Sequence, residues 1–566
     1  MPAWLRDYRR AWLAGDLTAG LIVTVMLIPQ SLAYAMLAGL PPQVGLYASI
    51  LPLVAYAALG SSMTLAVGPV AVVSLMTASA LQPLAQSGSA EYATMAMQLA
   101  LISGGMLLAF GALRLGFLAY FLSHPVISGF ITGSAILIAI GQLSHILGVR
   151  APGSGVLEKL SALLAALPQT QWPTLVIGMA TLAFLLLARS AMAPLLVRAG
   201  VPDATAAVLA KLAPMLAVVV STAIVGYGGL DRTAGIAVVG EVPRGLPQLS
   251  LALPDAPMLE LLWLPALLIA LVGFVESVSV AQSLALKRQQ RIVPNRELLG
   301  LGVANVASAL SGGYPVTGGF ARSVVNFAAG AHTPLAGVVS AALMALVIAA
   351  FTGLFFHLPH AVLAATIIVA VTSLIDVDAF RRAWRYDRAD ALSLLGTALG
   401  VMALGVEAGI LAGVALSLGA LVWRSSRPHM AVVGRVPGTE HFRNVLRHKV
   451  ETVPGLLALR VDESLFFANA TVVEDRIGDE LRLDPALRQV LLICSAVNQI
   501  DATALEVLTE LERSLATRGI VLMLAEVKGP VMDRLRSTAL GQRLDGRIFL
   551  SVHDAFTYAQ PSAPPS

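Results

Sequence analysis

Apolar and polar positions divide the chain into two parts. Up to about residue 424, apolar stretches long enough to cross or half-cross a bilayer follow one another closely. They fall at 17–36, 46–61, 69–79, 94–113, 124–147, 172–190, 205–226, 260–285, 297–312, 319–330, 335–357, 360–375, 389–405 and 407–424. Of these fourteen, the third and the tenth are short. Fourteen divides as seven plus seven, with the short stretch third in each half. A repeat with an odd number of spans must insert its second copy upside down. The pattern therefore predicts a 7+7 inverted repeat, and interrupted helices in corresponding places of two halves point to a transporter's midplane site. Beyond Arg427 the pattern changes. Residues 456–461, 490–494 and 520–524 read as buried strands, and 503–517 and 529–538 as amphipathic helices. Residues 440–560 are thus read as a small cytoplasmic α/β domain. Residues 425–439, with Pro428, Pro437 and Gly438, read as a linker, 1–16 as a cytoplasmic N-terminal segment and 561–566 as a disordered tail.

The tenth stretch carries the strongest chemical signal. Residues 312–330 read GGYPVTGGFARSVVNFAAG, with five glycines, a proline and Arg322 inside an apolar region. A membrane helix that breaks at Pro315, Gly318 and Gly319 and restarts near Phe320 leaves unpaired N–H groups at its new N-terminus. Those donors and the positive end of the helix dipole favour an anion. Arg322, in the first turn, adds a full charge at the same place. An ionisable residue at membrane depth is a functional candidate by default; the plainer alternative is a structural arginine paired to a carboxylate or snorkelling to the headgroups. The third stretch is its counterpart: 65–76 reads LAVGPVAVVSLM, and Pro69 suits the first position of a short helix.

Composition agrees with the pattern. Hydrophobic residues make up 57% of the chain and charged residues 12%, far from a soluble globular protein. The net charge of +4 makes no case for nucleic acid. A single cysteine, Cys494, excludes an internal disulfide framework. Arg6, Arg9 and Arg10 precede a long apolar span with no small-residue cleavage site, so a first membrane helix is expected rather than a signal peptide. With the N-terminus inside, seventeen Lys and Arg fall in inner segments against four outside (Arg150, Lys159, Arg232 and Arg244). Both termini are therefore expected in the cytoplasm. No P-loop, nucleophile elbow or zinc motif is present in the sequence; no enzyme and no cofactor is expected. Gly405, Gly409 and Gly413, at four-residue spacing, read as close helix packing.

Three segments together resemble the SulP anion permeases, the sulfate permease family to which prestin is related. These are PQSLAYAMLAGLPPQVGLY at 29–47, AVGPVAVVSLM at 66–76 and YPVTGGFARSVVNFAAGAHTPLAG at 314–337. The C-terminal domain resembles the family's STAS domain, and the resemblance covers nearly the whole chain. It implies a UraA-like fold, in which a core domain (spans 1–4 and 8–11) moves against a gate domain (spans 5–7 and 12–14), usually as a homodimer in the inner membrane. It also implies an anion pocket formed by Gln30, Tyr34, Val70, Phe320, Ala321 and Arg322. Glu276, in GFVESVSVAQSLA of the eighth span, faces the same pocket in this family. A carboxylate there carries a coupling proton or balances Arg322. On the residues alone, Tyr34 also suits a packing aromatic, Gln30 a helix–helix hydrogen bond and Glu276 a fixed counter-ion.

The activity implied is secondary active transport of a small inorganic anion or carboxylate, sulfate first, by proton symport. The alternatives are sodium-coupled bicarbonate uptake, proton-coupled dicarboxylate uptake, or an anion exchanger or channel. In the C-terminal domain the loop reads QIDATAL, with Ala502 where soluble STAS regulators have a phosphorylated serine. A phosphoswitch is therefore not expected there. An assembly or regulatory role with a cytoplasmic protein partner is.

Overall fold

The computed structural model describes residues 3–120, 123–151, 156–203, 206, 209–210 and 212–560. The tail at 561–566 and Lys211 of the charge count lie outside the described residues. The chain forms two compact units, Met1–Ser417 and Leu418–Ser566.

The first unit is helical. Among the described residues a helix lies in each of the fourteen apolar stretches. Among the described residues, eight helices are long and apolar enough to cross a membrane. Leu13–Leu37, with 25 residues, is about 37 Å long at 1.5 Å per residue, more than the hydrocarbon core requires. Large apolar side chains such as Val176, Leu187, Val219 and Leu346 face outward, as expected where the solvent is lipid. Some boundaries differ from the sequence reading. The second stretch divides into Pro42–Tyr47 and Leu51–Leu59. A helix at Val156–Ala166 was not foreseen; with 11 residues it is too short to stand out as a span.

A few helix pairs carry most of the packing. Leu335–Ala350 and Phe320–Ala328 lie against Leu13–Leu37, while Pro294–Leu310 runs along Ala90–Ala112 and Leu51–Leu59. Elsewhere, His360–Thr372 packs on His124–Leu147 and Trp172–Leu187, and Arg388–Leu404 on His124–Leu147. Lipid tails are as apolar as the helix faces, so close backbone approach has to supply the association. Val406–Ser426 meets Arg388–Leu404 in this way: a methyl added at Gly409 would stand 2.4 Å from Val401 N, and one at Gly413 2.3 Å from Thr397 Oγ1. Gly405 is different. It has φ +89° with open space around it, so it makes the turn rather than the contact.

Two buried carboxylates tie distant parts of this unit together. Glu297, at the start of Pro294–Leu310, is fully buried. It accepts hydrogen bonds from Tyr56 Oη (2.7 Å), Ser61 N (2.8 Å), Ser61 Oγ (2.6 Å) and Ser62 N (3.0 Å). Asp16, equally buried, accepts from His332 N (2.6 Å), Thr333 N (3.0 Å) and Thr333 Oγ1 (2.7 Å).

The second unit is a six-stranded sheet with helices on both faces. Its strands are β3 (Met430–Arg435), β4 (Phe442–Asn444), β5 (Leu456–Val461), β6 (Gln489–Ile493), β7 (Val521–Ala525) and β8 (Ile548–Phe549), in the order β4-β3-β5-β6-β7-β8. The run β5 to β8 is parallel, and β3 pairs antiparallel with both β4 and β5. Alternation sorts the side chains. Leu457, Leu459 and Val461 pack with Ile477, Leu508 and Leu511, while Leu456 and Ala458 pack with Phe556 on the other face. The stretch 425–439 is therefore not a free linker, because β3 lies within it and pairs Met430 with Val461. Six residues between prolines gave too little pattern to mark a strand whose inner side chains alternate with half-exposed ones. Burial pushes the Cys494 thiol up to about 12, so the lone cysteine is unreactive.

Candidate functional site

The site is built by two helices that start side by side. Strand β1 (Val67–Gly68) pairs antiparallel with β2 (Thr317–Gly318), Val67 opposite Gly318 and Gly68 opposite Thr317. Soon after this bridge each chain turns into a short helix, Ala71–Leu81 and Phe320–Ala328. The first begins two residues beyond Pro69, with Val70 as its N-cap. Pro69 therefore precedes the cap instead of occupying the first helical position. Neither N-cap, Val70 or Gly319, makes a side-chain capping bond. Valine and glycine have no acceptor to offer, so the first-turn N–H groups of both helices remain available to a ligand.

Unwound backbone at this depth must be satisfied internally, and neighbouring side chains do so. Asn305 accepts from Val316 N (2.9 Å) and donates to Val316 O (2.9 Å). Ser277 Oγ accepts from Gly318 N (2.9 Å), and Thr317 Oγ1 donates to Gly273 O (2.6 Å). Ser323 Oγ accepts from Ala66 N (3.0 Å), and Asn326 Nδ2 donates to Thr64 O (3.0 Å), crossing between the two interrupted segments. Sequence reading missed Asn305, Ser323 and Asn326 as scaffold. A polar residue inside an apolar stretch was the available signal. Ser277 belongs to this scaffold as well.

Arg322 lies at the centre. It is 2% exposed. Its guanidinium rests on two glycines: a methyl on Gly68 would stand 2.8 Å from Nη1, and one on Gly319 2.9 Å from both Nε and Nη2. Gly68 adopts φ +157°. These are close approaches that only glycine permits. Among the described residues, Arg322 Nη1 and Nη2 have no hydrogen-bond partner, and neither does Glu276 Oε2.

All seven residues singled out from the sequence line one cavity of about 510 Å³. Gln30 and Tyr34 come from Leu13–Leu37, Val70 from the first half-helix cap, Phe320, Ala321 and Arg322 from the second half-helix, and Glu276 from Ala256–Leu286. The lining also includes Leu185, Arg189, Pro214 and Thr366. Arg189 is one of the seventeen Lys and Arg counted in inner segments from the sequence. It sits in a π-helical turn, Ala188–Met192, a distortion often found at functional sites.

Comparison with known proteins gives the same picture. The sulfate permease family pattern matches residues 13–397, and that of the STAS domain residues 447–555. A probable sulfate transporter of Mycobacterium tuberculosis is 36% identical over 554 residues, covering 97% of this chain and 96% of its own. Chloroplastic sulfate transporter 4.1 of Arabidopsis thaliana is 35% identical over 566 residues, covering 98% of this chain and 81% of its own. The murine Slc26a9 anion transporter, solved in its inward-facing state, superposes with a TM-score of 0.89 at 22% identity, over 98% of this chain and 93% of its own. The transmembrane domain of the cyanobacterial bicarbonate transporter BicA superposes with a TM-score of 0.61 at 24% identity, over 72% of this chain and 98% of its own. This chain, an α-helical membrane protein with a C-terminal STAS domain, belongs to the sulfate permease family.

Proposed function

We propose that this membrane protein, an anion transporter by family, carries sulfate by alternating access and proton symport. The observation that carries the reading is Arg322: a buried guanidinium with two unpaired nitrogens, beside the uncapped N-termini of two half-helices. Each N-terminus contributes roughly half a positive charge. With the arginine, about two positive charges face the cavity, which suits a dianion. First-turn N–H groups of both half-helices, with Gln30 and Tyr34, supply the donors; Val70, Phe320 and Ala321 shape the walls. The sulfate transporters among the relatives support the same substrate.

Glu276 lines the same cavity. An ionised carboxylate there repels a dianion and cancels part of the positive field; a protonated one does not. Sulfate and proton therefore enter together, and the core (spans 1–4 and 8–11) moves against the gate (spans 5–7 and 12–14) to expose the pocket to the other side. In this reading the protein is a homodimer in the inner membrane with both termini cytoplasmic, and its STAS domain binds a cytoplasmic protein.

The test is uptake of labelled sulfate into proteoliposomes. An inward proton gradient is expected to drive accumulation above the external concentration. Glu276→Gln is expected to abolish that accumulation while sulfate exchange at equal pH survives, because exchange needs no net proton movement. Gradient-driven uptake at the wild-type level in Glu276→Gln overturns proton coupling at this residue. Bicarbonate uptake stimulated by sodium, with no sulfate flux, replaces the substrate and the coupling ion together.

A further inference from the structure

A second cavity, of about 380 Å³, lies at the other end of the first half-helix. Val70, Ala71 and Val72 line the Arg322 cavity, whereas Leu75, Ala78, Ser79 and Gln82 line this one, and the two cavities share no lining residue. Leu75 lies three positions beyond Val72 along the helix, about 4.5 Å of rise. The same division runs along the first helix, with Gln30 and Tyr34 on one cavity and Met36 and Leu37 on the other. The two cavities therefore follow one another along these two helices, and the lining of the second includes the apolar Leu75, Leu137 and Ile138.

The lining of the second cavity is polar in a particular sense. It includes Ser79, Gln82, Gln142, Ser144, His145 and Lys159 and no carboxylate. Lys159 reaches it from the Val156–Ala166 helix, where its ammonium lies over Gly141: a methyl there would stand 3.3 Å from Nζ. No hydrogen bond or ion pair holds that ammonium among the described residues. His145, whose ring lies edge-on to His360 at 6.3 Å, adds a ring nitrogen. A concave site with a free cation, amide and hydroxyl donors and no acidic group selects a small oxyanion.

We infer that this cavity is a second anion-docking site, with Lys159 as its cation, which concentrates sulfate on the face opposite the Arg322 cavity. The inference rests on the sulfate reading above. It assigns Lys159 a function in capture and none in the step that carries the anion from one cavity to the other.

The experiment measures initial sulfate uptake by the full chain expressed in cells that lack their own uptake, so that only the outer face meets the label. Lys159→Met is expected to raise KM by about three- to tenfold at low ionic strength, less at high, with the maximal rate unchanged. Lys159→Arg is expected to restore KM. An unchanged KM in Lys159→Met, or a fall in maximal rate that arginine does not rescue, overturns the inference. If the wild type takes up no sulfate, the substrate reading fails and binding decides this site separately. Sulfate is then titrated into purified Arg322→Ala protein, which lacks the first cavity's cation. Residual binding that disappears in the double variant with Lys159→Met supports the second site; its absence or persistence overturns it.

Discussion

Among the described residues of the membrane unit, three charged side chains are buried, Glu297, Asp16 and Arg322, and they are treated in opposite ways. Glu297 and Asp16 are fully buried and accept four and three hydrogen bonds respectively. Arg322 is just as deep, yet both terminal nitrogens lack a partner. Burying an ion costs several kcal/mol unless pairing offsets it. The carboxylates recover that cost within the protein, which makes them structural fasteners. Arg322 does not recover it there, so a ligand has something to gain by entering. On the proposed reading, depth without a partner, rather than depth alone, marks the binding residue.

The comparison breaks most severely if Arg322 turns out to be structural. Arg322→Ala is expected to weaken sulfate binding by about 3 kcal/mol or more, over a hundredfold. Its melting temperature in detergent should hardly change, because no protein hydrogen bond of the guanidinium tips is lost. Calorimetric titration beside a thermal melt checks both. Wild-type affinity, or a collapsed fold, moves Arg322 into the class of Glu297.

The converse holds for the fasteners. Glu297→Ala strands the Tyr56 hydroxyl and the Ser61 and Ser62 amides in a buried place, at about 1–3 kcal/mol for each group left unsatisfied. A destabilisation of roughly 3 kcal/mol is expected in a denaturation assay, with the folded fraction still binding sulfate normally. Asp16→Ala should follow in direction and fall short in size, since it strands one contact fewer. Loss of affinity without loss of stability in either variant would show that satisfied carboxylates also tune the site.

The smallest effect is expected from the second unit. Every residue lining the Arg322 cavity precedes residue 375. Removal of residues 428–566, a cut placed before β3 so that no strand is left without its sheet, should change sulfate affinity by less than about twofold, the usual scatter for distant independent sites. A larger loss in a well-folded truncation would extend the site beyond the membrane unit.

Much of this was readable in advance, and for one reason. Lipid obliges each segment to satisfy its own backbone, so apolar length is local information, and a helix lies in each of the fourteen apolar stretches. The interruption at 312–330 was equally local, written in glycine and proline, and it led to Arg322. Reading failed where the signal was short or shared. Val156–Ala166 is brief, β3 lies between prolines, and Gly405, Gly409 and Gly413 look alike although one turns the chain and two pack it.

The sequence by itself determined that the chain enters a membrane, where its helices lie, that a separate α/β domain follows, and which residues line one cavity. Only the tertiary structure decided which charges have partners. Glu297 meets Tyr56 across 241 positions and Ser61 across 236, and Asp16 meets His332 across 316. Gly68 and Gly319, from opposite halves, bring their backbones against one guanidinium. Whether a buried charge is satisfied depends on groups that meet only when distant segments pack. No pattern of neighbours along the chain records that, and it is the property that separates a fastener from a site.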